Sequence, residues 1–468
     1  MTWQVSSTCP INPIHAALGR TGKILFFAGS GNDPTNVANS ARGVALWDVN
    51  SGIFSTPTVP LDSNGNPIDV FCAAQSFRSN GQLFVAGGTL QYDPFKGIQD
   101  SFVFNFTTGQ WSKVASMYRG RWYPTVLTLG NGRIFALSGL DINGNLDRNP
   151  EIFNSSTGWN IFTQQTSAFA LYAHLVLLSS GRLFYTGAQL GSNNGVSPRI
   201  LTLPSRFNQA IAEQSVGGLE FPDNGNQAAS VLLPPAQDQK VMIIGGGGGT
   251  ATNRVNIVNL NASTPTYTAA PYLNNPRMHH NAVLLPDRTV FVCNGSRAEE
   301  DVSQSTLPAE IYNPATNAWT LVETPTVNGR VYHSVAVLLP DGRVVTAGGN
   351  PNRSSYESRI EIYSPAYMSQ TRPTISSAPA TTNYNAIITI QTSQAANIKW
   401  VHLIRPMAPT HGLDTEQRLV DLPISSRTSS SLSVQITANR NIAPPGYYMV
   451  FIVDNNNVPS VAKWIQLT

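Results

Sequence analysis

A short unit recurs seven times along these 468 residues, and no other feature constrains the fold as strongly. Each copy is a polar turn, then about four strand-forming residues, then glycine. The copies run Thr21-Gly22-Lys23 to Gly29, Asn80-Gly81-Gln82 to Gly87-Gly88, Asn131-Gly132-Arg133 to Gly139, Ser180-Gly181-Arg182 to Gly187, Gln239-Lys240 to Gly245-Gly246, Asp287-Arg288 to Gly295, and Asp341-Gly342-Arg343 to Gly348-Gly349. Their spacing of roughly 50 residues signals repeated small sheets rather than one continuous core. A second apolar strand follows most copies, ending in a polar turn and often an aromatic: Phe104-Asn105 before Trp111, Glu151-Ile152-Phe153-Asn154 before Trp159, and Glu310-Ile311-Tyr312-Asn313 before Trp319.

A four-stranded unit of this size cannot cover its own apolar face, so such units pack face to face around an axis. The period is that of kelch repeats. The expected fold is all-β, a seven-bladed kelch-type β-propeller over residues 1–368. Paired glycines let backbones approach closely near the axis, where a Cβ would collide. The pattern stops near Pro365. A Ser/Pro/Thr-rich connector at 371–379 leads into period-two strands such as 386–390 and 431–436, which predict an immunoglobulin-like β-sandwich over 372–468. With 37 Gly, 32 Pro and 12% charged residues, the composition suits short strands and tight turns.

Charge and composition exclude several functions. The net charge of +3 is dispersed and no Lys/Arg run offers a footprint, so no nucleic-acid partner is expected. The apolar run 447–453 is too short to span a bilayer and reads as a buried strand, so no transmembrane segment is expected. Met1-Thr2-Trp3-Gln4 shows no basic region followed by an apolar core, and the sequence is read as starting after an export signal. The expectation is a secreted protein, extracellular or periplasmic, and sequons at Asn105, Asn154, Asn261, Asn294 and Asn352 are compatible with it. Cys9, Cys72 and Cys293 leave an odd thiol and form no Cys-x-x-Cys pair, which argues against zinc and against a disulfide framework. Cys293, inside Val290-Phe291-Val292-Cys293, reads as a small buried hydrophobe.

Propellers gather function where strand-connecting loops converge at the channel mouth. Three segments precede inner strands: Val70-Phe71-Cys72-Ala73-Ala74, Arg119-Gly120-Arg121-Trp122-Tyr123-Pro124-Thr125 and Gly329-Arg330-Val331-Tyr332-His333-Ser334. The repeat superposes Cys72, Tyr123 and Tyr332-His333. Taken singly, a buried thiol or a packed phenol is an ordinary structural residue. A thiol, two phenols and an imidazole at superposable positions suit copper better than magnesium or calcium, which prefer carboxylates. Arg121 and Arg330 read as structural partners of carboxylates or as pocket residues.

The motifs together resemble the copper-radical oxidases, the family of galactose oxidase and glyoxal oxidase. Arg330-Val331-Tyr332-His333-Ser334 through Asp341-Gly342-Arg343-Val344 is similar to their axial-tyrosine motif, and Pro409-Thr410-His411-Gly412-Leu413-Asp414-Thr415-Glu416-Gln417-Arg418 to the motif supplying their last histidine. Phe71-Cys72 and Arg119 through Tyr123 resemble the pair that those enzymes join by a thioether. The resemblance runs from Val70 through the sandwich, with the motifs in order. It implies one copper held by Tyr123, Tyr332, His333 and His411, with Tyr123 cross-linked to Cys72 as a radical cofactor. Tyr123, Cys72 and Tyr332 would be the catalytic groups, and a sandwich loop would carry His411 into the channel.

The implied reaction is oxidation of a small glyoxal-type aldehyde or a primary alcohol by O2, with release of hydrogen peroxide, by a monomeric enzyme. Two other readings stand beside it: action on cell-surface or extracellular glycans, and a non-catalytic kelch propeller that binds protein or glycan through its loops. His15, His174, His279, His280 and His402 are assigned ordinary hydrogen-bonded or surface roles, with His174 or His280 as candidate pocket residues. There is one departure. Where galactose oxidase has a tryptophan over the modified tyrosine, residues 138–144 offer Asp141, so either another aromatic covers the cross-link or the radical is less shielded. The sugar-binding N-terminal domain of galactose oxidase has no counterpart in the sequence, which weakens galactose as the substrate.

Overall fold

The repeat has a direct structural meaning. In the computed structural model, which describes residues 2–191, 194–220, 225–352 and 355–468, each copy contributes the second strand of a four-stranded antiparallel sheet. These strands are Lys23–Gly29, Leu83–Ala86, Ile134–Leu137, Leu183–Tyr185, Lys240–Ile244, Val290–Cys293 and Val344–Gly348. Seven such sheets are present among the described residues. The last one takes its outer strand, Thr2–Thr8, from the start of the chain, paired antiparallel with Arg359–Ser364. The two ends of the ring are therefore stitched by backbone hydrogen bonds. The first and second sheets meet through Gln75, which binds His15 Nδ1 at 2.8 Å and the Ala16 carbonyl at 3.2 Å.

Both faces of each sheet are covered by neighbours, so the inner strands do not alternate in polarity. Ala74–Phe77, Thr125–Thr128, Asn281–Leu284 and Ser334–Leu338 are buried at every position, whereas the outer strands Gln110–Val114 and Ala318–Leu321 are largely exposed. The paired glycines behave as expected. A Cβ on Gly349 would overlap the Gly329 carbonyl, and one on Gly88 the Asp69 carbonyl.

Three sheets share a buried ion pair: Arg121 with Glu151 at 3.0 Å, Arg277 with Glu310 at 3.1 Å, and Arg330 with Glu361 at 3.5 Å. Each carboxylate also accepts two backbone N–H groups from the loop leading into the inner strand of its own sheet. Glu151 takes Tyr118 and Arg119, Glu310 takes Asn274 and Asn275, and Glu361 takes Thr326 and Val327, all between 2.7 and 3.1 Å. The backbone hydrogen bonds to each carboxylate help make these buried pairs tolerable. Arg121 and Arg330 are thus structural partners of carboxylates.

Beyond the ring, a five-stranded sheet (Thr381–Thr382, Lys463–Leu467, Gly446–Asp454, Ile398–Ile404, Leu419–Asp421) faces a three-stranded one (Ile387–Gln391, Ser431–Gln435, Ile424–Arg427). Strand Gly446–Asp454 is apolar on both sides because both are covered. Met449 and Phe451 pack with Leu338, Leu339 and Val345 of the ring, while Tyr448, Val450 and Ile452 pack with Ile390 and Val434 inside the sandwich. All three cysteines are buried and free. Among the described residues, no helix is long and apolar enough to cross a membrane. The Asn294 side chain is only 4% exposed, which removes its sequon as an acceptor site, and the Asn352 sequon extends outside the described residues.

Two outcomes follow for stability. Glu310→Ala strands the buried Arg277 guanidinium and two backbone donors, and should cost about 3–5 kcal/mol by denaturant unfolding; a cost below about 1 kcal/mol would contradict the assigned role. Burial pushes His15, His174 and His333 down from 6.5 to about 3, and His280, His402 and His411 well below 6.5. These rings stay neutral when folded and take up protons on unfolding, so their stabilisation is complete above pH 6.5 and declines as pH falls toward 3. Asp414, pushed up to about 7 by burial, opposes this in part. The denaturant midpoint of the metal-free protein should fall between pH 7 and pH 5; a flat profile would refute the assignment.

Candidate metal centre

The centre is built on a backbone conformation that recurs around the axis. In six of the seven sheets a non-glycine residue with positive φ sits one to three positions before the inner strand: Cys72 (61°), Tyr123 (59°), Tyr172 (44°), Gln227 (59°), His279 (56°) and His333 (66°). Such a residue costs about 1–2 kcal/mol. Hydrogen bonds between sheets hold it there. Tyr123 N donates to the Cys72 carbonyl, Tyr172 N to that of Tyr123, and His279 N to that of Gln227, each at 3.0 Å. The kink also turns successive side chains toward each other. Trp122 and Tyr123 stack at 3.7 Å and 6°, and Tyr332 and His333 at 3.8 Å and 28°.

The first sheet is the exception. Pro13 stands before its inner strand, and proline cannot adopt positive φ. Here the sandwich enters. The segment after strand Ile398–Ile404 pairs with the first inner strand, through Leu18 N to the Met407 carbonyl and Ala16 N to the Pro409 carbonyl, both at 3.1 Å. Inner strands leave ladder groups unpaired toward the axis. Side chains of this segment satisfy several of them: Thr415 Oγ1 donates to the Val126 carbonyl at 2.8 Å, and Gln417 binds the Ala282 carbonyl at 2.8 Å and Leu284 N at 3.0 Å. Glu416 accepts from Ser76 Oγ at 2.5 Å and from Arg405 Nε at 2.6 Å, both buried. His411, itself at φ 51°, is fixed by these contacts beside Cys72 and His333.

All five residues singled out in the sequence meet at one point. Cys72 Sγ lies 3.7 Å from His411 Nε2, and the ligand atoms of Cys72, His333 and His411 are all within 4.8 Å of one another. The Tyr123 and Tyr332 hydroxyls share a short hydrogen bond. Cys72 and Tyr123 pack in the same buried cluster. The His333 and His411 rings meet edge-on at 4.5 Å.

Hydrogen bonding sets which ring nitrogens face this point. The Thr410 hydroxyl donates to the Ile14 carbonyl at 3.2 Å, so it accepts from His411 Nδ1–H at 2.6 Å and leaves Nε2 as the lone-pair nitrogen. His333 Nδ1 binds the Asn350 side-chain oxygen at 2.6 Å, and its Nε2 is buried without a partner. An orphaned imidazole nitrogen beside two phenols and a thiol is a donor set awaiting a metal of the copper class. Burial raises Cys72, Tyr123 and Tyr332 well above their usual values, with their mutual repulsion as anions adding to it for the phenols. Only a cation at this point would draw their protons off.

The missing tryptophan is replaced from a different place in the chain. Trp122 covers the Tyr123 ring, Phe95 stacks on Trp122 at 4.2 Å, and Tyr172 lies on Tyr123 at 4.5 Å. Of the two alternatives, another aromatic covers the site. Asp141 instead caps its own turn by accepting from Asn143 N and Asn145 N. The signal was present in Trp122-Tyr123, but only the left-handed kink makes neighbours stack. Trp122, Tyr123, Tyr332, Gln227, His279 and Glu299 line a cavity of about 330 Å³ that leads outward. The pocket histidine is therefore His279, bound to Glu299 at 3.1 Å. His280 is buried without a side-chain partner, and His174 binds Ser230 at 3.0 Å away from this cavity.

Comparisons with known proteins agree with this geometry. The description "Glyoxal oxidase N-terminus" matches residues 66–367, and "Galactose oxidase-like, Early set domain" matches residues 372–467. Galactose oxidase of Gibberella zeae is 26% identical over all of this chain and 70% of its own length. An aldehyde oxidase of Vitis pseudoreticulata is 27% identical, over all of this chain and 97% of its own. A fungal alcohol oxidase solved in complex with copper superposes with a TM-score of 0.86 at 23% identity, covering 100% of this chain and 99% of that one, which shows the fold. With the family description covering well over half of its length and a donor set suited to copper at the axis, the chain belongs to the glyoxal oxidase family of copper-radical oxidases and is a copper-dependent oxidoreductase.

Proposed function

We propose that this protein oxidises a small aldehyde or a primary alcohol with O2 and releases hydrogen peroxide, using a Cys72–Tyr123 thioether as a built-in second redox centre. The observation that carries this reading is the convergence of Cys72, Tyr123, Tyr332, His333 and His411 in one buried cluster. Tyr123, Tyr332, His333 and His411 are the proposed ligands. Bound copper would accept one electron and polarise the substrate oxygen, chemistry that no side chain here supplies.

Removing two electrons and two protons from a primary alcohol, or from an aldehyde as its hydrate, needs more than the metal. Tyr332, which bound copper would hold as the phenolate, takes the hydroxyl proton at its phenol oxygen. Tyr123, as the radical, takes a hydrogen atom from the substrate carbon at its own phenol oxygen, and bound copper would supply the acceptor for the remaining electron. Both electrons and both protons end on O2 as hydrogen peroxide. Trp122 and Phe95 keep water off the Tyr123 face, and the cavity of about 330 Å³ admits only a small reacting group. Supporting the substrate class, the named relatives are a galactose oxidase and an aldehyde oxidase. The same reading takes the protein as an exported monomer with its ring at 1–368 and its sandwich at 372–468.

Treatment with copper and O2 should lower the intact mass by the two hydrogen atoms that leave the thiol and the ring carbon, and peroxide should then appear with small aldehydes or alcohols; an unchanged mass would sink the radical scheme. Cys72→Ala should still bind copper but lose most turnover, whereas His411→Ala should weaken copper by more than the ~10–100-fold typical of changes one shell out. Trp122→Leu should shorten the lifetime of the oxidised form, followed as decay of its tyrosyl radical signal, and an unaltered decay would refute shielding.

A further inference from the structure

Asn350 touches both consecutive residues of the Tyr332-His333 pair. Its backbone N–H donates to the Tyr332 carbonyl at 2.8 Å, and its side-chain oxygen binds His333 Nδ1 at 2.6 Å. The amide orientation is fixed independently, because Nδ2 donates to the Ser355 carbonyl at 2.5 Å. An amide oxygen can only accept, so His333 Nδ1 carries the proton and Nε2 presents its lone pair to the centre. The residue is 1% exposed and directly follows Gly348-Gly349, whose positive φ values turn the chain back over the histidine.

At His411 the partner is the Thr410 hydroxyl, at 2.6 Å. Both imidazoles are therefore oriented by neutral acceptors. A carboxylate in that place makes the imidazole a stronger donor and stabilises the more highly charged metal state. Glu357, the nearest acid in sequence, is engaged with Arg359 instead.

We propose that Asn350 is the positioning residue that sets the tautomer and direction of His333, and that its neutrality keeps the bound copper readily reduced. This rests on the copper-radical reading above. Too strong an electron donor at His333 would favour Cu(II) and slow the half-reaction in which the substrate reduces the site. An amide gives orientation without that penalty.

Three measurements test it. In metal-free wild-type protein, histidine ¹⁵N spectra should show His333 protonated at Nδ1 alone; protonation at Nε2 would overturn the assignment without recourse to any variant. Asn350→Ala should bind copper about 10–100-fold more weakly in a chelator competition, and wild-type affinity would overturn the positioning role. Asn350→Asp, at pH 8, should hold Cu(II) at least as tightly as wild type yet show a lower Cu(II)/Cu(I) potential, followed by loss of the Cu(II) EPR signal, and a lower kcat at unchanged KM. A potential at or above wild type would overturn the neutrality argument. Failure of the wild-type protein to take up one copper would instead sink the copper reading itself, while the tautomer result would stand on its own.

Discussion

Everything at the centre depends on a left-handed turn repeated from sheet to sheet. A side chain held at positive φ immediately before an inner strand points along the axis rather than into either neighbouring sheet. Backbone hydrogen bonds link the Cys72, Tyr123 and Tyr172 turns to one another and the Gln227 turn to that of His279, so none of these can relax without disturbing a neighbour. Residues in this strained region persist only where the surroundings over-determine them, and they concentrate at functional sites. Cys72, Tyr123, His333 and His411 all occupy it. The buried Arg–Glu pairs complete the constraint by tying down the loops that lead into Tyr123, His279 and Tyr332.

A ring of sheets creates a second problem, which the sandwich solves. Inner strands expose ladder groups to the axis, and an empty channel would leave them to water. The segment around residues 405–418 fills the channel and spends its polar side chains on those groups. Its entry point is the one sheet whose inner strand is preceded by proline instead of a left-handed residue. There a backbone pairing replaces the missing turn, and the pairing brings His411 to the centre. The small second unit thus reaches the centre, which accounts for one residue of the cluster lying so far along the chain from the others.

How much of this could be read from the residues varies with the kind of interaction. The sheets were legible because turn chemistry and glycine recur at fixed offsets; the meeting of Cys72, Tyr123, Tyr332 and His333 was legible because related positions in a closed ring face the same end, whereas His411, on the sandwich, was reached only through the family resemblance. Trp122 stands in a motif read for Tyr123, yet nothing in the sequence marks it as the covering ring, since stacking between adjacent residues requires a kink that sequence does not display. His279 was passed over for His280 for the same reason: only φ decides which member of a His-His pair faces the cavity. The Glu-Ile-Phe and Glu-Ile-Tyr openings of third strands were noted as apolar strands, but their partners Arg121, Arg277 and Arg330 are identified only once the sheets are folded. Asn350 has no sequence signal beyond standing after two glycines.

The metal-free centre carries no buried charge, and this determines how it can exist before the metal arrives. Burial keeps both phenols and the thiol protonated and both imidazoles neutral, so five polar side chains sit together without a counter-ion. Unpaired buried charges would cost several kcal/mol each. Neutral groups linked by hydrogen bonds cost far less, and the site can be fully formed in the apo fold. A cation entering such a site must displace the phenol protons, so its binding is coupled to pH through the tyrosines and not through histidines that are already neutral. The same dryness that suppresses ionisation in the apo protein then protects the oxidised tyrosine. The ring stacked by Trp122 and Tyr172 is shielded before the chemistry that needs shielding begins.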